Sequence, residues 1–151
     1  MRKAQAALEF LTTYGWAFIV ILVMIGALAY FGVLNPSKVT PNRCIVEAGF
    51  ECREYRITQN DVNIVVYNRK GTGMQNIVVN ATSDVGDLTG ACTPSAATLP
   101  SEGNITIACT RAGVFTTSLG NKVKVDFTIT YTAIGGTLSQ VAGGSVYTQV
   151  Q

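Results

Sequence analysis

Phe10-Leu11-Thr12-Thr13-Tyr14-Gly15-Trp16-Ala17-Phe18-Ile19-Val20-Ile21-Leu22-Val23-Met24-Ile25-Gly26-Ala27-Leu28-Ala29-Tyr30-Phe31-Gly32-Val33-Leu34 is a run of 25 residues without a charge. About 20 apolar residues rising 1.5 Å each span a hydrocarbon core of about 30 Å. The buried helix of a globular protein keeps a polar stripe, and this run has none. It is therefore expected to enter a membrane as an α-helix at some stage. Asn35-Pro36 is expected to close the helix, because the residue before proline is pushed out of the α region, and Pro41 reinforces the stop. Arg2 and Lys3 precede the run. Such flanking charge favours a cytoplasmic N-terminus with the remainder exported.

Outward from that run, the 151 residues are 48% hydrophobic but only 13% charged, against roughly a quarter charged in an average soluble domain. The length suits one domain with an appendage. Eleven Lys/Arg against nine Asp/Glu leave +2, too little for the basic footprint of a nucleic-acid binder. There is no histidine, which excludes a Ser-His-Asp relay, a Cys-His dyad and a histidine-held metal. No catalytic residue, metal or cofactor is expected, and an enzyme is disfavoured.

Beyond Lys38 the pattern changes. Val123, Val125, Phe127, Ile129 and Tyr131 alternate with polar residues from Lys122 to Thr132, the mark of a strand with one dry and one wet face. Shorter β runs are Val62–Tyr67, Asn76–Thr82, Asn104–Thr110 and Ser145–Val150, with turn signals at 68–73, 99–103 and 134–137. Strands at this spacing predict an antiparallel sandwich or small barrel. The fold class is thus α+β, a long N-terminal hydrophobic helix followed by an antiparallel Ig-like β-sandwich. Phe50, Tyr55, Tyr67, Phe115, Phe127, Tyr131 and Tyr147 are read mainly as core. Gly71-Thr72-Gly73 and Gly135-Gly136 are read as hairpin turns rather than phosphate loops.

Cys44, Cys52, Cys92 and Cys109 all follow the apolar run. On an exported chain, an even number implies two disulfides. Three pairings are open, and order along the chain favours Cys44–Cys52 with Cys92–Cys109. A four-thiolate zinc site is disfavoured because no CxxC pair is present. Asn80-Ala81-Thr82 and Asn104-Ile105-Thr106 are sequons for N-glycans at Asn80 and Asn104. Asp84 and Asp87 share a glycine-containing loop but lack the carboxylate density of a calcium loop.

The sharpest signal is Arg2-Lys3-Ala4-Gln5-Ala6-Ala7-Leu8-Glu9-Phe10. Glu9 is an acid at the edge of a hydrophobic helix, where ionised groups are costly and by default functional; the plainer alternative is snorkelling to headgroups. Lys3-Ala4, Gln5 and Glu9, with the Leu-Thr-Thr-Tyr-Gly-Trp continuation from Leu11 to Trp16, resemble the class III signal peptide of archaeal type IV pilins. In that family a short basic leader and a small residue precede glutamine, with glutamate four positions on. Ala4 stands where glycine is more usual.

The resemblance implies a leader, 1–4, cut between Ala4 and Gln5 by a prepilin peptidase. After it come an assembly helix, 5–35, a neck, 36–43, and a pilin-type β head, 44–151. It implies a homopolymer built by an assembly platform, membrane-inserted before assembly and displayed afterwards as an extracellular, adhesive filament. Gln5 would carry the new α-amino group, and Glu9 would neutralise the amine of a neighbouring subunit. Phe18, Ile21, Leu22, Ile25, Leu28 and Phe31 would pack in the filament core, with Gly15, Gly26, Ala27, Ala29 and Gly32 allowing close approach. An archaellum-type subunit is the neighbouring reading. A rival from another class is a secreted or membrane-anchored binding domain, since Ala27-Leu28-Ala29 also suits signal peptidase.

Overall fold

The computed structural model describes residues 2–34, 40–115 and 118–151, with the side chains at 2–6 and 11 outside that description. The chain forms two units, Met1–Thr40 and Pro41–Gln151.

The first unit is a helix, α1, over Arg2–Tyr30. Among its described side chains from Ala7 to Tyr30 none is buried. Its end differs from the expected one. Gly32 takes φ 69°, its N–H donates to Ala29 O at 3.1 Å, and Val33 N–H donates to Leu28 O at 3.1 Å. These two bonds are the pair by which a left-handed glycine closes a helix. The helix, expected over 5–35, stops at Tyr30, and Gly32 caps it. The expected stop at Asn35-Pro36 lies outside the described residues, as do 36–39 of the neck. At the other end the helix already includes Arg2, Lys3 and Ala4 of the expected leader.

Among the described residues the second unit contains eight strands: β1 Arg43–Val46, β2 Phe50–Ile57, β3 Asp61–Asn68, β4 Met74–Ser83, β5 Cys92–Pro94, β6 Asn104–Thr110, β7 Lys122–Ala133 and β8 Ser139–Gln149. They make two four-stranded sheets, in the orders β1-β8-β7-β4 and β2-β3-β6-β5, with antiparallel pairing throughout. The alternation read from 122 to 132 is β7, whose odd-numbered side chains from Val123 to Tyr131 are all buried. They share one core with Val62, Ile64 and Val66 of β3 and Ile105, Ile107 and Cys109 of β6. Burying each such aliphatic or aromatic side chain contributes roughly 1.5–3 kcal/mol. Phe127 lies against Gly144, its partner in the register; a Cβ there would come within 2.4 Å of the ring.

Polar groups inside this unit are engaged. Tyr131, 1% exposed, has a hydroxyl that accepts a hydrogen bond from Lys70 Nζ and donates to Gln140 Oε1 at 2.8 Å. Phe50 packs edge-on against the same ring, and the Lys70 stem fills the space over Gly49. Asn68 is fully buried. Its Nδ2 donates to Thr72 O at 2.8 Å and Pro100 O at 3.1 Å, while its Oδ1 accepts from Lys70 N–H at 3.0 Å. One side chain thereby ties the turn at 68–73 to the one at 99–103. Asn68→Ala removes three hydrogen bonds, each worth about 0.5–1.5 kcal/mol. Urea unfolding of the full chain in detergent should show a loss of about 3 kcal/mol. Asn68→Asp, which turns a carboxylate oxygen toward two carbonyls, should lose at least as much.

Candidate functional site

Glu9 lies within α1, one turn after Gln5 on the same helix face. It is exposed, and among the described residues no side chain pairs with it. Its neighbours' polar groups are satisfied locally. Thr13 Oγ1 donates to Glu9 O at 2.8 Å, and Thr12 Oγ1 is placed to donate to Glu9 O at 3.0 Å or Leu8 O at 3.1 Å. Just beyond, Phe10 and Tyr14 bring their rings to 4.6 Å. With Gly15 and Phe18 they line an open apolar groove of about 300 Å³. The spacing of Phe10, Tyr14 and Phe18, four residues apart, was visible in the sequence as a ridge; the groove beside it comes from the missing side chain at Gly15. Lys3, Ala4 and Gln5 are helical in backbone, and their side chains lie outside the described residues.

The four cysteines are joined as Cys44–Cys52 and Cys92–Cys109. Cys44 is on β1 and Cys52 on β2, so the first bridge links edge strands of different sheets. Cys92 and Cys109 face each other in the register of β5 and β6, so the second lies within one sheet. Asn80 and Asn104 are both exposed, on the outer faces of β4 and β6.

The carboxylates are dispersed. Glu51 pairs with Arg69 at 2.8 Å, Asp126 with Lys124 at 2.8 Å, and Asp87 with Arg111 at 3.7 Å. Asp84 Oδ1 accepts from Lys124 N–H at 3.1 Å. The Thr89 hydroxyl, followed by its N–H, holds the Asp87 carboxyl below the ordinary range. Among the described residues, no three potential ligands gather around a metal position.

The aromatic residues divide. Phe50, Phe115, Phe127 and Tyr131 are buried and Tyr55 packs at the edge of the core, but Tyr67 and Tyr147 sit half-exposed on outer faces. The core assignment is corrected for those two. Tyr67 stands out, with Arg53 Cζ 4.3 Å and Arg69 Cζ 4.8 Å from its ring centroid. Sequence reasoning missed this cluster because the strand bearing Arg53 has no clean alternation. Neither models of known protein families nor curated protein sequences give a match to this chain.

The Cys92–Cys109 bridge spans 17 residues, a loop whose closure is worth about 3 kcal/mol through the unfolded state. Cys92→Ala/Cys109→Ala should lower unfolding free energy by about that amount in urea titrations. An unchanged midpoint would show that the bridge adds nothing to the strand pairing already present.

Proposed function

We propose that the chain is the structural subunit of an archaeal type IV pilus-like extracellular filament, held in the membrane by α1 before assembly and polymerised by packing of that helix. The observation that carries this reading is a long helix with exposed apolar side chains and a single carboxylate one turn from Gln5. Such a helix needs lipid or other helices around it, and both replace water while leaving its backbone hydrogen bonds intact. Transfer from one to the other is conservative for the apolar side chains. It is not conservative for Glu9.

A cut between Ala4 and Gln5 creates an α-amino group four residues before that acid. Inside a helix bundle each unpaired charge costs several kcal/mol, so a subunit docked out of register leaves one uncompensated. Glu9 acts in this reading as a register pin, and its place in the early turns also suits the positive end of the helix dipole. The two sheets are the layers of a β-sandwich head of pilin type. The outer face of the β1-β8-β7-β4 sheet, with Thr82, Thr128 and Ser139 exposed, is part of the displayed surface, and Asn80 and Asn104 are open to glycan transfer. Adhesion is the role that such a surface serves.

Two measurements test this. Intact mass and N-terminal peptide mapping of material sheared from the cell surface, without reductant, should give a start at Gln5 and two disulfides. A start at Tyr30 would mean signal-peptidase cleavage and a secreted β domain in place of a filament subunit. Glu9→Gln should be exported and cut normally yet yield few filaments; wild-type yield would falsify the pairing, as would a pyroglutamate start, which removes the amine.

A further inference from the structure

We propose that the outer face of the β2-β3-β6-β5 sheet binds an acidic polysaccharide, with Arg53 and Arg56 holding its carboxylate or sulfate groups. The register between β2 and β3 slips between Cys52 and Glu54, which bulges Arg53 out of the edge strand. Its guanidinium stacks over Tyr67. Stacking uses the flat face of the group and leaves its N–H fork around the rim, so Arg53 is oriented without losing donors. Arg56 lies opposite Asn63 in the register. Arg53, Glu54, Tyr55, Arg56, Asn63 and Val65 line an open depression of about 610 Å³.

Charge selects the occupant's sign. Arg69, Arg111 and Lys124 each have a carboxylate partner. Among the described residues Arg53 and Arg56 have none, and both are exposed. A guanidinium fork matches carboxylate or sulfate oxygens in pairs. Shape selects the class. The depression offers no deep apolar pocket for the aromatic or aliphatic anchor that a peptide partner uses. Tyr67 has guanidiniums against its ring, so it is no free platform for stacking bases. What lies beside the arginines is hydrogen-bonding surface suited to sugar hydroxyls, the Asn63 amide, the Glu54 carboxylate and Thr106, which pairs with Val65 across the sheet. This inference does not depend on polymerisation.

The test uses the full chain in detergent carrying Asn104→Gln, which removes the sequon beside Tyr67. Binding to immobilised polygalacturonate is compared with binding to neutral dextran. The chain should bind the acidic polymer selectively, and Arg53→Gln/Arg56→Gln should weaken binding about tenfold, roughly what two exposed ion pairs supply. Arg43→Gln/Arg111→Gln, with the same net charge, should change it by less than about twofold. Equal loss in both double variants, no preference over dextran, or tighter binding to polyglutamate than to polygalacturonate would each overturn the proposal. Unchanged urea midpoints would confirm that the variants fold.

Discussion

The constraint on which this chain depends is a long helix whose apolar side chains are exposed. From Phe10 to Leu34 no residue carries charge, and the part within α1 has no buried face. In water such a surface is strongly unfavourable, since each side chain forgoes the roughly 1.5–3 kcal/mol that burial would supply. Everything else about the chain is compatible with leaving that demand to an external partner. The helix satisfies its own backbone and closes on Gly32 through two bonds.

The C-terminal unit meets its needs internally. The inward residues of both sheets form one core, and the buried polar groups Asn68 and Tyr131 have partners. The Cys44–Cys52 bridge ties the sheets at their β1 and β2 edges, where the strands are short or bulged and pairing alone is weak. The β2 edge carries Glu51, Arg53, Glu54 and Arg56, charged residues of the kind that discourage pairing with a stray strand. A unit so satisfied holds its shape through its own contacts.

How much of this was legible follows from periodicity. β7 was readable because 12 residues alternate without interruption, and β3 and β6 because most of their buried positions are Val or Ile. β1 and β5 have only four and three residues, too few to show a period, and β2 loses its period at the Arg53 bulge. The helix was legible as an element but not in its length, because a single left-handed glycine stops it while the apolar run continues to Leu34. Tyr67 was misplaced for a related reason. Its neighbours Val65 and Val66 are both apolar, so composition does not say which face is dry. Asn68 looked like a turn residue, and its burial between two loops depends on a contact 32 positions away.

At the head of the helix, Thr12 and Thr13 are polar residues in an apolar run, yet both hydroxyls are engaged on the carbonyls of Leu8 and Glu9. Bonds of this kind let threonine sit in a low-dielectric helix without an outside partner. Tyr14 and Trp16 join large apolar bodies to a polar tip, the side chains that settle at a membrane interface. The carboxylate of Glu9 is different. An ionised acid cannot be satisfied by helix carbonyls, because it accepts and does not donate. It must meet water, a headgroup or a cation. Among the described side chains from Ala7 to Tyr30 Glu9 is thus the one whose needs the helix itself does not meet.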